Sequence, residues 1–320
     1  MTEGEIEVRV SRKIQEAEGI VSFYLTSCDG SALPSFSAGA HIDVHTPAGP
    51  VRQYSLCNSA DERDHYQVAI LRDSASRGGS ISMHEDVQVG TVLRVSKPRN
   101  HFPLIELQGV PLLLAGGIGI TPILCMAERL SASNAAFDLH YFARSKAKMA
   151  FRERIQSSAF ASLVNLHLDD ESDTQTDLRA LLQAPDPGRS LYVCGPVGFL
   201  DSVRSIAADY GWPRDHIHFE YFGAPPVKAG PLSSFTVTLA SSGQVLEIPE
   251  DKSVADVLID HGINVPLSCE QGVCGTCVTR IIAGTPDHRD MYFSDEEHHA
   301  NNQFTPCCSR AISRNLLLDI

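Results

Sequence analysis

The sequence predicts a multi-domain chain: an antiparallel β-barrel, then an α/β unit built on a parallel sheet, then a small C-terminal α+β unit. Three observations carry that expectation. The first hundred residues alternate apolar and polar positions with period two, between turn-rich pieces. From Pro111 onward, strand-like runs take turns with helix-like ones, the rhythm of parallel strands joined by crossover helices. The stretch GAPPVKAGP (223–231), almost wholly Gly, Pro and Ala, then sets off a last segment that begins again with short strands.

Each element has its own signal. Barrel strands are expected in IEVRVSRKI (6–14), IVSFYLT (20–26), HIDVHT (41–46) and YQVAILR (66–72), with CDGSALP and TPAGP as turns. The second unit begins with LLLA (112–115) and a helix in which Thr121 is the expected N-cap and Pro122 the first helical residue. FDLHYF (137–142), a helix near 149–158, VNLHL (164–168), a helix near Asp177, LYVC (191–194) and a helix from Pro196 follow. In the last unit SFTVTLA and QVLEI precede SVADVLIDHG, where Ser253 and Asp256 suit a helix start and Gly262 a stop. The domain boundaries read as 1–106, 107–224, a linker at 225–232, and 233–320.

At 320 residues and 43% hydrophobic content, each unit can bury its own core. A net charge of -13 argues against nucleic acid or an anionic membrane as a partner. The N-terminus, MTEGEIEVRV, lacks a basic flank followed by an apolar core, so a cytoplasmic location is expected. One uncharged run, VPLLLAGGIGITPILCMA (110–127), has the length of a membrane span, but its three glycines and two prolines speak against one. In a reducing compartment the nine cysteines point to metal or redox work and not to a disulfide framework.

Three of those cysteines sit in CEQGVCGTC (269–277), spaced C-x4-C-x2-C, and PCCSRA follows thirty residues later. This is the plant-type spacing for four thiolates around a [2Fe-2S] cluster. Gly272 and Gly275 permit the tight turns such a loop needs. Structural zinc is the competing reading, but it usually takes two C-x2-C knuckles, and only one is present. Cys269, Cys274 and Cys277 are three ligands, and either Cys307 or Cys308 is the fourth. The chain has no C-x-H tripeptide, so it carries no Rieske centre of its own. His298 and His299 read as solvated loop residues.

A one-electron cluster cannot accept a hydride. If a nicotinamide feeds it, a flavin must stand between them, and the remaining chain should hold both sites. RQYSL (52–56) and SRGGSIS (76–82) resemble the flavin-binding motifs of the ferredoxin-NADP reductase superfamily. Arg52 offers a charged fork for phosphate, Tyr54 a flat face for an isoalloxazine and Ser55 a hydroxyl for its polar edge. Gly78, Gly79 and Ser80 offer bare amides and a hydroxyl as a phosphate cradle. AGGIGITP (115–122) lies between a strand and a helix; Gly116, Gly117 and Gly119 allow close approach, though Pro122 stands where a G-x-G-x-x-G fingerprint has its last glycine. CGPVGFLDSV (194–203) matches the superfamily's second nicotinamide-side motif through Cys194, Gly195 and Pro196.

The order flavin barrel, nucleotide domain, ferredoxin domain, together with CEQGVCGTC, HRDMYFSDEE and QFTPCCSRA, is similar to the phthalate dioxygenase reductase family over essentially the whole chain. That resemblance implies a C-terminal ferredoxin of β-grasp fold with Cys307 as the fourth cluster ligand. It also implies FMN, NADH, and a monomeric reductase serving a Rieske-type terminal oxygenase that acts on an aromatic acid of phthalate or vanillate type. It further places Cys194 beside the nicotinamide C4, and Thr121 and Phe222, the latter in HFEYFGA (218–224), near the flavin. RSKAKMAF (144–151) departs from that pattern: Arg144, Lys146 and Lys148 would lie by the adenosine ribose, where a basic group could welcome the 2'-phosphate of NADPH, although NADH remains the expected donor. Two other readings stand beside this one: a reductase for another acceptor such as a cytochrome P450, and a non-enzymatic iron-sulfur sensor. No acid-base pair in the sequence is required for proton handling at a flavin. Residues 232–320 hold twelve Asp/Glu against five Lys/Arg, which suits a docking face for a basic acceptor.

Overall fold

A computed structural model of the chain describes residues 5–73, 78–105, 109–183, 185, 188–223 and 233–320. They divide into two compact units, 1–222 and 223–320. The proposed linker at 225–232 lies outside the described residues, as do Ser76 and Arg77 of the glycine-rich motif.

The first unit opens with β1 (Glu5–Ala17), β2 (Ile20–Ser27), β3 (His41–His45), β4 (Val51–Ser55) and β5 (Tyr66–Leu71), then helix α1 (Gly79–Glu85) and β6 (Val92–Ser96). Their antiparallel order is β4-β3-β6-β1-β2-β5. A bridge from Leu56 to Val68 joins the two edge strands, so the sheet curls back on itself as the period-two pattern predicts. Val8, Phe23, Leu25, Ile42, Val44, Val68 and Val95 fill its interior.

The same unit continues with β7 (Leu112–Gly116), α2 (Ile120–Ala132), β8 (Asp138–Ala143), α3 (Arg152–Gln156), β9 (Val164–Leu168), α4 (Leu178–Leu182), β10 (Leu191–Gly195), α5 (Val197–Asp209) and β11 (Ile217–Tyr221). The sheet is parallel, in the order β11-β10-β7-β8-β9. LLLAG and LYVCG are buried along their whole length, as central parallel strands covered on both faces must be. The apolar run at 110–127 is therefore β7 plus the first half of α2, and among the described residues no helix is long and apolar enough to cross a membrane.

One helix start departs from expectation. A 3-10 turn at Gly117–Gly119 runs straight into α2, so Gly119 is the N-cap and Thr121 is the second helical residue. The Thr121 hydroxyl bonds back to the Ile118 carbonyl at 3.1 Å instead of capping forward. Barrel and parallel sheet share a core in which Ile20, Cys57 and Phe102 pack with Leu113, Leu124 and Met126. Arg154 on α3 reinforces the contact, donating to Gln67 Oε1 (2.7 Å), the Cys57 carbonyl (3.2 Å) and Glu128 (2.6 Å).

The second unit contains β12 (Phe235–Leu239), β13 (Val245–Ile248), α6 (Val254–Asp260), β14 (Thr279–Ala283), β15 (Pro286–Asp287), α7 (Asp295–Ala300), β16 (Gln303–Phe304), β17 (Arg310–Ala311) and β18 (Asn315–Leu318). Its mixed sheet runs β13-β12-β18-β14-β16, with β12 and β18 parallel. Val254, Val257 and Leu258 of α6 lie in the core beside Val237, Ile248 and Leu316, which is the grasp of a sheet around one helix that the resemblance implies.

Ser253 and Asp256 form a capping box at the start of α6, as the sequence pattern suggests. The Ala255 amide of this first turn donates to the Pro306 carbonyl (3.0 Å), next to Cys307. Ser253→Ala should therefore lower the stability of the C-terminal unit by about 1 kcal/mol, read as a shifted urea midpoint in far-UV circular dichroism.

Candidate functional site

The first candidate site lies where the barrel meets the carboxyl ends of the parallel strands. Between β7 and β10 the strand order reverses direction, and a doubly wound sheet opens a crevice at such a point. Its floor is made of residues without side chains. A Cβ on Gly195 would fall 3.0 Å from the Gly116 Cα, and one on Gly116 would meet Phe199 and Pro196 at 3.0 Å. Gly119 is tighter still, since its Cβ would lie 2.2 Å from the Cys194 carbonyl oxygen. Gly117 adopts a left-handed φ of 54° with open space beside it. Pro196 is the N-cap residue of α5. The glycine run and the C-G-P motif, distant in sequence, are thus one surface.

Register puts Cys194 between Ala115 on β7 and Glu220 on β11. Its thiol is fully enclosed, and burial, followed by the nearby Glu220 carboxylate, pushes it well above the ordinary thiol range. It is a neutral packing atom and not a nucleophile. Ser55, the last residue of β4, donates its hydroxyl to Glu220 Oε2 at 3.3 Å. Burial raises the Glu220 carboxyl from 4.5 to about 8, against the lowering effect of that bond. At neutral pH this carboxyl holds its proton. Ser55 and Glu220 are therefore an acid-base pair that the sequence reading did not require. Nothing in the pattern of HFEYF marks which of its residues faces Ser55.

On the barrel, Arg52 and Tyr54 precede Ser55 on β4. Burial pushes the Tyr54 phenol above its ordinary range. Gly78, at φ 93°, is the N-cap of α1 and has open space where a Cβ would point. Gly79 faces Arg52, whose Cγ would be 2.8 Å from a Cβ there. Ser80 accepts a hydrogen bond from the Asp73 amide at 3.2 Å. The structure thus brings Arg52 together with the glycine pair. Thr121 is buried at the start of α2, Phe222 is 42% exposed, and Arg144 is exposed just beyond β8. Nearby, Lys146 pairs with Glu171 at 2.6 Å.

The second site, in the C-terminal unit, is the cysteine loop. Gly272 and Gly275 take left-handed φ values of 72° and 69°, the turns that let three sulfurs converge. Cys269 donates to Cys274, and Cys307 to Cys277, which lowers the acceptor thiols and raises the donors. The Gln271 amide points at Cys269 Sγ (3.3 Å) and the Thr276 amide at Cys274 Sγ (3.5 Å). Four converging sulfurs with amide donors suit a thiolate-ligated cluster. Cys308 also accepts from Cys307 and bonds to the Thr305 hydroxyl at 3.2 Å. One expectation fails nearby: His298 is not simply solvated, but bonds Asp290 Oδ2 at 3.2 Å and lies on the His288 ring.

Comparison with known proteins agrees with this geometry. Residues 237–311 match the 2Fe-2S iron-sulfur cluster binding domain. Over 98% of this chain and 99% of the relative, the sequence is 52% identical to vanillate O-demethylase oxidoreductase of Pseudomonas putida. The solved structure of phthalate dioxygenase reductase, described as modular for electron transfer from pyridine nucleotides to [2Fe-2S], superposes with a TM-score of 0.79 at 41% identity, covering 99% of this chain and 98% of that one. An intact type IV self-sufficient cytochrome P450 monooxygenase matches with a TM-score of 0.84 at 36% identity, over 99% of this chain and 41% of that one.

Two measurements check the site chemistry. Glu220 ionises near pH 8 when folded and near 4.5 when unfolded, so the unfolded chain loses this proton first and stability falls as pH rises through that window. Glu220→Gln should flatten the fall in melting temperature between pH 5 and 8. Cys307→Ser should abolish the visible absorption of the cluster, whereas Cys308→Ser should retain it. The reverse outcome would exchange the two residues.

Proposed function

The chain belongs to the family of vanillate O-demethylase oxidoreductase and phthalate dioxygenase reductase, and from that premise we propose that it is the reductase component of a two-component Rieske non-haem iron oxygenase. In this reading hydride comes from NADH to FMN, and single electrons leave through a [2Fe-2S] cluster toward an oxygenase acting on an aromatic acid of vanillate type. The observation that carries it is the meeting of Ser55, Glu220 and Cys194 at the crevice of the first unit, in a chain whose second unit gathers four cysteine sulfurs.

The residues fit these groups. Arg52 with Gly78, Gly79 and Ser80 would hold the flavin phosphate through a charged fork and bare amides. Tyr54 would flank the ring, Ser55 would bond its polar edge, and Thr121 and Phe222 would stand beside it. The glycine floor of Gly116, Gly117, Gly119 and Gly195, with Pro196 beside it, would admit the nicotinamide nucleotide, with Arg144 toward its ribose. Cys194, being neutral and enclosed, limits how deep a nicotinamide can go without competing for the hydride. Protonated Glu220 would be able to donate to Ser55 Oγ, which frees the serine hydroxyl proton to turn from the carboxyl to the polar edge of the ring. Cys269, Cys274, Cys277 and Cys307 would ligate the cluster. The chemistry supplied by the bound groups is the division of an electron pair into two single electrons.

A second acceptor class has an observation in its favour: the match to a self-sufficient P450, in which the aligned region is 41% of a haem monooxygenase chain. Both readings are tested together. Adding NADH without oxygen to the purified, cofactor-loaded protein should bleach flavin and cluster absorption within one mixing experiment. Subsequent transfer should be faster to a Rieske oxygenase than to a cytochrome P450. Persistent colour would overturn the reductase reading, and preference for the haem protein would replace the acceptor.

A further inference from the structure

The segment before and within α7 carries three side chains that the reductase reading leaves without a role. His288 Nδ1 lies 3.6 Å from Asp290 Oδ1, and His298 Nε2 lies 3.2 Å from Asp290 Oδ2. The two imidazole rings are 4.4 Å apart. One ligand atom from each of the three residues falls within 4.8 Å of the others. The Asp290 side chain is fully enclosed, that of His288 is 10% exposed and that of His298 26%.

Asp290 is anchored by the Tyr292 and Phe293 amides, at 3.2 and 3.0 Å, and by the Ser309 hydroxyl at 3.3 Å. His288 is different. Neither ring nitrogen completes a hydrogen bond of good geometry, although the Asp290 and Asn301 side chains both lie close enough to act on the ring as weak partners. An imidazole enclosed to this degree ordinarily has a partner, and its nearest carboxylate oxygen is too far for a hydrogen bond.

We propose that His288, Asp290 and His298 form a binding site for a divalent transition-metal ion of the zinc class, distinct from the four-cysteine loop. Two imidazoles and one carboxylate are a ligand set suited to zinc, with water completing the coordination. An ion bound tetrahedrally at about 2.0–2.1 Å holds its ligand atoms roughly 3.3 Å apart. The 3.6 and 3.2 Å separations run to the two different oxygens of Asp290, and one ligand atom from each residue lies within 4.8 Å of the others, so the set closes on an ion by side-chain adjustment. An ion here gives the weakly partnered His288 nitrogen a strong partner. It also ties the residues before α7 to the helix itself, beside the cysteine loop: the Met291 amide donates to the Gly272 carbonyl at 2.9 Å. The ion would stiffen one wall of that loop.

The test uses the full-length protein with its iron in place, freed of loosely bound ions by chelator and titrated with zinc chloride in a calorimeter. Zinc and iron contents are measured on the dialysed product. One zinc per chain, with iron content and visible absorption unchanged, is the expected result. His288→Gln and His298→Asn should each weaken zinc binding by roughly tenfold or more. His298 is the more exposed of the two, so His298→Asn decides the matter if His288→Gln does not fold with its cluster. Absence of stoichiometric uptake, undiminished binding by His298→Asn, or zinc entering only as iron leaves would each overturn the proposal.

Discussion

Everything in the first unit depends on how closely β7 and β10 approach at their carboxyl ends. Gly116, Gly119 and Gly195 are there because any Cβ would occupy a neighbour's backbone or the Phe199 ring. Parallel pairing of Leu191 with Leu112 through Cys194 with Ala115 holds the strands in register up to that point. The chain then leaves each strand through a tight turn, a 3-10 segment before α2 and Pro196 before α5. A crevice with a flat, side-chain-free floor follows from this steric exclusion. The three glycines account for the close packing itself, and of the four glycines here Gly117 alone has open space beside it.

The polar chemistry of the crevice comes from packing against that floor. Ser55 belongs to the barrel and Glu220 to the parallel sheet, and their hydrogen bond forms only because the two layers share a core. Arg154 crosses the same boundary with two donated bonds, to Gln67 and the Cys57 carbonyl, while Glu128 of its own layer holds the guanidinium in place. A carboxyl held at a dry boundary keeps its proton to higher pH than one in water, because burial penalises its anion. The crevice therefore offers a proton through Glu220 and Ser55 while Cys194, also enclosed, offers none. Burial raises both groups above neutrality, so both are neutral at pH 7, and the carboxyl, at about 8, remains the stronger acid of the two.

Much of this was legible in the sequence, and the boundary of legibility is physical. Period-two runs located β1, β2, β3 and β5, and the αβ rhythm located β7, β8, β9 and β10 of the parallel sheet but not its edge strand β11, because both patterns follow from which face is buried. Cysteine spacing and the Ser253 capping box are local chemistry and were readable for the same reason. Glu220 was not readable, since its neighbour Ser55 is 165 residues away and no local rule joins them. Thr121 resembled an N-cap, but a 3-10 turn of glycines extended the helix start ahead of it. His298, in a polar stretch, looked solvated until the fold laid it against His288 and Asp290.

The cysteine loop illustrates the converse case, where local sequence and tertiary packing agree. A Cβ on Gly272 would sit 2.4 Å from Cys308 Sγ, and one on Gly275 would sit 2.2 Å from the Tyr292 ring. Both glycines also take backbone angles that other residues adopt only with strain. Arg310, buried and stacked 5.1 Å over Phe235, donates to the Pro249 and Lys252 carbonyls and fixes the strand that follows Cys307 and Cys308. The loop's shape is thus imposed by exclusion on one side and by an anchored arginine on the other. Sulfurs arranged by the surrounding protein need little rearrangement to meet two irons, and an electron carrier benefits from that rigidity because its ligands hold nearly the same positions in both oxidation states.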